Sequence, residues 1–413
     1  MRIAVAACTA AALTAGAAGC SVDAGDGKAA KHGAKHDAKA DKAAPAVSNG
    51  KPLRLIGDGS TAYTGIQPHQ PKFTRLKPGQ QPPQFVVFSW DGAGEDGSGL
   101  FEHFREVGKK YDATMTYFLS GLYVLPESKR TQYTAPGHAP GASDIGFLND
   151  LHVRQTLEQV RAAWLDGHEI GTHFNGHFCG PTGVDSWSVE DWKSEISQAK
   201  QFVKTWRTNL GDTKSAPLPF DYDKELVGSR TPCLEGRKNL VKAAGQLGWR
   251  YDTSGVNLQV WPQKEEGVWN LSMHTVPFPG SSREELTMDY NYKVNPLITP
   301  ATAEGQMYRS LMMGFERSYS GNRAPVIIGN HFEQWHGGAY MRAVESTIKT
   351  LCPRADVQCV SFRQLADWLD AQDPAVLEKL RQLQVGQAPA EGWERYLAPA
   401  EPAVTKPGGA NVA

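Results

Sequence analysis

The chain has 413 residues, which is enough for one large domain or two smaller ones. Its 43 Lys and Arg residues nearly balance 44 Asp and Glu residues, so no overall basic charge favours a nucleic-acid partner. The 42 glycines and 26 prolines are typical of a loop-rich enzyme rather than a helical bundle.

The first 20 residues have the pattern of a secretory signal: Arg2, an Ala-rich apolar core and then small residues. After this segment no apolar run reaches the roughly 18 residues that a membrane-spanning helix needs. The segment ends Ala17-Ala18-Gly19-Cys20, which resembles the lipobox of bacterial lipoproteins. The resemblance implies that Cys20 is lipidated and anchors the chain to the outside of the cell membrane. An ordinary cleaved signal, giving a secreted protein, is the alternative.

Composition divides the rest of the chain into three parts. Residues 21–49 contain almost no large apolar side chain, so residues 21–81 are predicted to be a disordered tether followed by a strap. Residues 82–372 show the patterns of a folded catalytic domain. Residues 373–413 are predicted to form a C-terminal helix and a flexible tail.

From residue 84 onward, strand patterns alternate with helical patterns. Strands are predicted at residues 85–89, 114–119, 169–172, 250–252, 325–329 and 357–361. Helices are predicted at residues 99–110, 153–166, 188–210, 239–247, 304–318, 340–351 and 362–370. This alternation indicates an α/β fold with a parallel sheet, either doubly wound or closed into a barrel. Residues 120–152 and 255–300 are predicted to be long loop insertions.

Side chains that can do chemistry stand where predicted strands end. Asp91 follows one apolar run, His331 follows another, and His173 with His177 follows a third. In parallel α/β folds the carboxyl ends of strands carry the catalytic groups. Two histidines four residues apart on one helical turn project to the same side and can bind one divalent ion. The sequence therefore predicts a metal site at His173 and His177, with Asp91 as the third ligand.

Four cysteines lie outside the signal region, an even number that favours disulfides in an exported chain. Cys352 and Cys359 flank a short loop and are expected to pair locally. Cys179 follows the histidine pair, and a bridge from it to Cys233 would join two loops of the site. A thiolate metal site is the alternative, but the chain lacks Cys-x-x-Cys spacing.

Over about residues 85–370 these motifs resemble the polysaccharide deacetylase family, carbohydrate esterase family 4, also called the NodB homology domain. The family motif Thr-Phe-Asp-Asp-Gly aligns with Phe88-Ser89-Trp90-Asp91-Gly92, and the family's His-Ser/Thr-x-x-His motif aligns with residues 173–177. An arginine near a proline matches Arg230-Thr231-Pro232. A hydrophobic strand that ends in the catalytic histidine matches residues 326–331.

The resemblance implies a distorted (β/α) barrel and an activity. The expected reaction is hydrolysis of N-acetyl groups from a cell-wall or secreted polysaccharide, with the ion polarising the acetyl carbonyl. Asp91, His173 and His177 would hold one divalent metal ion, zinc first and cobalt or another transition metal as alternatives. His331 would be the acid that protonates the leaving amine.

The chain departs from the family pattern at the general base. Trp90 occupies the position of the first motif acid, which is the usual base, and tryptophan cannot accept a proton. Arg230 would ordinarily orient that acid, so its partner here is unassigned. Glu95 and Asp96 are candidate replacements, and His331 acting as acid and base in turn is a further alternative. The fourth motif is only weakly traceable near Asp252, so the acid that tunes His331 is also unassigned.

Four side chains are predicted to contact a glycan substrate: Trp90, Trp261, Trp335 and His336, with core packing as the alternative for the aromatic ones. The chain is thus expected to be a monomeric, extracytoplasmic N-deacetylase. One rival function is a carbohydrate-binding lipoprotein that has lost catalysis with Trp90, and another is a hydrolase of a different C–N bond. A gain in turnover on replacing Trp90 by Asp would indicate a decayed active site.

Overall fold

The computed structural model describes residues 54–398, and every structural statement below concerns that part of the chain. The predictions for the signal, for lipidation at Cys20, for residues 21–53 and for the end of the tail lie outside it. The strands are β1 Arg54–Ile56, β2 Thr61–Tyr63, β3 Gln84–Asp91, β4 Thr116–Leu119, β5 Glu169–Thr172, β6 Gly228–Ser229, β7 Tyr251–Asp252, β8 Val256–Asn257, β9 Lys264–Glu265, β10 Val268–Asn270, β11 Met273–Pro277, β12 Glu284–Leu286, β13 Val326–His331 and β14 Val357–Cys359. The helices are α1 Leu100–Lys110, α2 Asp150–Leu165, α3 Val189–Lys204, α4 Trp206–Leu210, α5 Tyr222–Glu225, α6 Arg237–Gln246, α7 Asp289–Val294, α8 Ala303–Tyr319, α9 Trp335–Leu351, α10 Phe362–Ala371, α11 Pro374–Gln382 and α12 Gly392–Tyr396.

A curled nine-stranded sheet forms the centre of the fold. Its strands follow the order β13-β3-β4-β5-β6-β7-β10-β9, and β14 pairs with the start of β3. Every pair in it is parallel except β10 with β9. Helices separate β3 from β4, β4 from β5, β5 from β6, β6 from β7 and β13 from β14, so the prediction of a distorted (β/α) barrel with long insertions is confirmed.

The central strand β3 is buried along its whole length because both of its faces are covered. Val86, Phe88 and Trp90 belong to a core cluster that includes the apolar side of α1. Phe85 and Val87 belong to a second cluster that includes the apolar side of α10. Successive side chains of this strand therefore face two different cores, as the two-residue period of a strand requires.

Two predicted segments differ from the structure in kind, beyond shifts of a few residues at the ends of elements. The helix predicted over residues 188–210 is broken at Thr205, where α3 ends and α4 begins. The Thr205 hydroxyl donates to the Gln201 carbonyl at 2.8 Å, a back-bond that bends helices. The second predicted loop, residues 255–300, contains β9 and β10 of the central sheet, a separate three-stranded sheet, β12-β11-β8, and then α7.

The ends of the described chain lie against the domain. Strands β1 and β2 pair antiparallel, and the Ala62 amide donates to the Leu218 carbonyl at 2.9 Å. At the other end, α11 and α12 stand where the sequence predicted a single helix, and the Gly79 amide donates to the Leu397 carbonyl at 3.1 Å. None of the helices described is both long and apolar enough to span a bilayer.

Both predicted disulfides are present, Cys179 with Cys233 and Cys352 with Cys359. The first links the loop after β5 to the segment after β6. The second closes a local loop between α9 and β14. Disulfides are typical of an oxidising compartment outside the cytoplasm, in agreement with the location predicted from the sequence.

Candidate active site

The carboxyl ends of four parallel strands place the predicted site residues at one edge of the sheet. His331, the last residue of β13, lies opposite Asp91, the last residue of β3, in the strand register. His173 directly follows β5 and Arg230 directly follows β6. Asp91, His173, His177 and His331 line one open cleft, and Glu95, Asp96 and Glu333 supply further acids to its wall.

A buried ion pair fixes Asp91. The Arg230 guanidinium is fully buried and donates through Nη1 to Asp91 Oδ1 at 2.8 Å and to Ser89 Oγ at 2.9 Å. Its Nη2 donates to Thr253 Oγ1 at 3.1 Å, and the guanidinium lies over the Phe118 ring. Burial alone would raise the pKa of Asp91, but the charges of Arg230, His173 and His331 hold that pKa below its usual value. Asp91 is therefore ionised at neutral pH.

The two histidines of the second motif lie on a tight loop rather than on a helical turn. No helix is assigned to the segment, and Phe174 and His177 have left-handed backbones with φ of 60° and 57°. The predicted helical geometry is wrong because these residues leave the helical region of φ/ψ space. The loop nevertheless brings the His173 and His177 rings together, with centroids 5.2 Å apart.

Both imidazoles are neutral at neutral pH. Burial lowers the pKa of His173 to about 3 and also lowers the pKa of His177. His173 Nδ1 lies 2.8 Å from the Arg230 carbonyl oxygen, so Nδ1 carries the proton and Nε2 keeps its lone pair. His177 Nδ1 lies 3.7 Å from Cys179 Sγ, within the disulfide that ties this loop to Cys233.

Glu195, a buried acid that the sequence analysis did not single out, stabilises the loop of His173 and His177 through hydrogen bonds. The Glu195 carboxylate is fully buried and accepts from the Asn175 amide at 3.1 Å and from the Tyr133 hydroxyl at 3.0 Å. The same hydroxyl accepts from the Gly176 amide at 3.0 Å. Burial raises the pKa of Glu195 to about 7. This network provides hydrogen-bond acceptors for the Asn175 and Gly176 amides and thereby stabilises the left-handed conformation of the loop.

The candidate acid His331 has a buried carboxylate partner, Asp289, on the first turn of α7. His331 Nδ1 lies 2.8 Å from Asp289 Oδ1, and the His331 amide donates to Asp289 Oδ2 at 2.7 Å. Burial alone would lower the pKa of His331, but Asp289 and then Asp91 raise it above its usual value. Asp289 thus takes the tuning role that the sequence left unassigned. Asp252, the weakly traceable candidate, pairs with Arg237 instead.

The two candidate replacement bases are close to Asp91 in sequence but differ in environment. Glu95 is only 6% exposed, and its Oε1 accepts from the amides of Gly97 and Gly99 at 2.9 and 3.0 Å. Asp96 is exposed and caps the amide of Ser98 at 2.9 Å. The Glu95 carboxylate therefore stabilises its own loop through hydrogen bonds, although both Glu95 and Asp96 line the cleft.

Two of the four predicted glycan contacts are core residues. Trp90 is fully buried, with its ring 4.7 Å from Phe104 and 5.6 Å from Tyr117, centroid to centroid. Trp261 is 2% exposed and donates through Nε1 to the Asn322 carbonyl at 2.7 Å. Neither ring can stack on a sugar, so the expectation of substrate contact is corrected to core packing for both.

The other two predicted contacts lie at the start of α9. Trp335 is partly exposed, and its ring lies 5.6 Å from that of His331. His336 has a left-handed backbone with φ of 51°, and its ring lies 5.6 Å from Tyr340. Trp335 is thus beside the catalytic candidate His331. Neither Trp335 nor His336 is among the residues that line the cleft itself.

The donor chemistry of the site fits a divalent ion in part. Two neutral imidazoles beside a carboxylate are the side chains that zinc prefers, and Asp91 Oδ2 accepts no hydrogen bond from the described residues. However, Asp91, His173 and His177 do not gather their donor atoms within 4.8 Å of one another. Within residues 54–398, the group that meets this distance is His177, Cys179 and Cys233, whose sulfurs are bonded to each other. His173 and His177 therefore fit as ligands, and the third ligand is open.

Comparisons with known proteins found similar folds but no sequence match. No family model and no curated protein matches the chain. A candidate polysaccharide deacetylase from Mycobacterium smegmatis is similar in structure with a TM-score of 0.44 and 14% identity, over 73% of this chain and 96% of that one. A peptidoglycan deacetylase from Bacillus subtilis gives 0.37 and 14%, over the same two shares. A family 4 pseudoenzyme from Bacillus anthracis gives 0.37 and 12%, over 70% of this chain and 66% of that one.

The family that the motifs resemble is thus also the family of these solved structures. With TM-scores below 0.5 the likenesses are distant, and the function of this chain is inferred below from its own residues.

Proposed function

We propose that the chain is a hydrolase that removes N-acetyl groups from an extracytoplasmic glycan. The observation that carries the proposal is the cleft in which the ionised Asp91 faces His331, whose pKa is raised, across adjacent strand ends. Two groups whose environments push their pKa values in opposite directions are suited to act as base and acid in one hydrolytic reaction.

Asp91 is assigned the role of general base. Its Arg230 partner is the arginine that, in the family resemblance, orients the base acid. The first motif then aligns one residue later, with Ser89-Trp90-Asp91-Gly92 against Thr-Phe-Asp-Asp. In this alignment Trp90 replaces an aromatic residue, and the acid that is missing is the one at Gly92. This assignment differs from the sequence-based prediction, in which the base is missing at Trp90 and Glu95, Asp96 or His331 replaces it.

His173 and His177 would hold the divalent ion, and zinc suits two imidazoles of this kind. The ion would supply Lewis acidity toward the acetyl carbonyl. Asp91 takes a proton from the attacking water, and His331, held in orientation by Asp289, gives a proton to the leaving amine. Arg230 keeps Asp91 ionised between turnovers.

The experiment is acetate release by the full chain from N-acetylglucosamine oligomers and from peptidoglycan, with added zinc or cobalt. Release is expected to fall about 100-fold or more in His331→Ala. His103→Ala is the matched control because that imidazole, 48% exposed, lies outside the cleft. A complete absence of release by the native chain, with metal still bound, would support instead a glycan-binding protein without catalysis.

Asp91→Asn separates the two roles considered for Asp91. If Asp91 is the base, acetate release falls while the metal content of the purified protein is unchanged. If Asp91 is a ligand, as the unshifted motif implies, the metal content falls as well. Anchoring through Cys20 and a monomeric state stay predictions; radiolabelled-lipid incorporation and sedimentation would test them.

A further inference from the structure

An aromatic wall, defined here as Tyr290 and Trp335, stands beside the catalytic candidate His331. The Tyr290 and Trp335 ring centroids are 5.9 Å apart, and they lie 6.5 and 5.6 Å from the His331 ring. Tyr290 is 46% exposed and Trp335 is partly exposed. The next-door residue Asp289 is bonded to His331, so the wall is held in a fixed position relative to the reacting groups.

One lysine sits on this wall. The Lys293 ammonium lies 4.3 Å from the centroid of the Trp335 ring and 5.4 Å from that of Tyr290. Within the described residues no Asp or Glu carboxylate lies within 4.0 Å of it. The acid one helical turn earlier, Asp289, is occupied by His331. The cation is therefore exposed, positioned by two rings, and not neutralised by a neighbouring acid.

Negative and positive charges lie in different places in and around the cleft. Glu95, Asp96 and Glu333 line the cleft itself, whereas the segment that carries Lys293 supplies an unpaired positive charge beside it. An anionic group on a substrate is repelled by the first set and attracted by the second. A bound anionic glycan would therefore place its charge on the side of the aromatic wall.

We propose that Lys293 and the aromatic wall recognise a sugar ring that carries a carboxylate, adjacent to the ring that loses its acetyl group. The exposed parts of the two rings offer apolar area to the C–H face of a sugar, and the ammonium is a point-charge partner for a carboxylate. This substrate class rests on the proposed deacetylase function. The competing interpretation is that Lys293 only covers the Trp335 ring from water.

The test compares two probes that differ in one group. The first is an oligosaccharide of alternating N-acetylglucosamine and N-acetylmuramic acid, and the second is the same molecule with its lactyl carboxylates amidated. The native chain is expected to have about fivefold higher kcat/KM for the acid than for the amide at low salt, the range of an exposed charge pair. The difference should shrink in 0.5 M salt, because the Debye length there is about 4 Å and the exposed charges are screened from each other.

Lys293→Ala should bring kcat/KM for the acid to the value for the amide, and Trp335→Ala should raise KM for both probes. Lys242→Ala, at an exposed lysine of α6, is the matched control and should keep the native preference. Equal kcat/KM for the two probes in the native chain, or a preference that survives Lys293→Ala, overturns the proposal.

The same probes separate this proposal from the proposed function. If no acetate is released from either probe, calorimetric Kd values are compared instead. A tighter Kd for the acid that Lys293→Ala abolishes supports the carboxylate site while the deacetylase function fails. Equal Kd values, or no binding of either probe, overturn the carboxylate site as well.

Discussion

The disulfide between Cys179 and Cys233 joins the loop of His177 to the segment after Arg230, and its removal gives a prediction with a calculable size. The two cysteines are separated by 54 residues, whereas Cys352 and Cys359 are separated by 7. The loop-closure entropy that a bridge removes from the unfolded chain grows with the logarithm of this separation. It corresponds to about 4 kcal/mol for the long bridge and about 2 kcal/mol for the short one at 25 °C.

The assay is urea-induced unfolding of the double variants Cys179→Ser/Cys233→Ser and Cys352→Ser/Cys359→Ser. The first should lose about 2 kcal/mol more free energy of unfolding than the second, because the bridge that it lacks closes the longer loop of the unfolded chain. Since each bridge is the control for the other, general effects of Cys→Ser replacement cancel in the difference. An equal loss in the two variants, or a larger loss for the short bridge, would refute the chain-entropy reasoning.

Three substitutions test the assignments in the cleft. Asp289→Asn removes the charge that raises the pKa of His331, so the alkaline limb of the pH–rate profile, where His331 deprotonates, should move to lower pH. An alkaline limb at the native position would contradict this. Trp90→Asp should unfold the chain rather than restore activity, because an acid would be buried in an apolar cluster at a cost of several kcal/mol. A variant that stays folded in the urea assay and releases acetate faster than the native chain would contradict this. Gly92→Asp should raise the zinc affinity measured by calorimetry about tenfold relative to Gly92→Asn. A side chain at this position meets nothing closer than Tyr123 at 3.7 Å, and the two variants share the backbone strain of φ +63°. Equal affinities would remove Gly92 as the vacant ligand position.

The sheet could be predicted from the sequence because its strands are short apolar runs between helical periods. The match of Asp91 with His331 also followed from one rule, that parallel strands end at the same edge. Residues 255–300 were harder, since β8, β11 and β12 are short and pair with partners that no local pattern specifies. The break at Thr205 depends on a single back-bond inside a continuous amphipathic pattern.

The site residues that were missed are those that act through tertiary contact. Asp289 lies 42 residues before His331 in a stretch without a motif, and the bridge between Met288 and Gly329 that brings it alongside β13 appears only in three dimensions. Glu195 has the position of an ordinary residue on the buried side of α3. Trp261 was misassigned because aromatic composition alone does not distinguish a groove wall from a core.

The side-chain directions along β3 support the proposed shift in the alignment of the first motif. Along β3, Trp90 has the parity of Phe88 and faces the helix-side cluster, while Asp91 has the parity of Ser89 and faces Arg230. A shift of one residue moves a side chain to the opposite face of a strand, so an acid at position 90 could not reach the cleft without reversing the register of β3. The strand end thus offers one inward-facing acid, Asp91, and the next position that opens onto the cleft is Gly92. Under the proposed function, Asp91 is therefore the proton acceptor, and the acid that the strand end lacks is the one at Gly92, the proposed vacant ligand position.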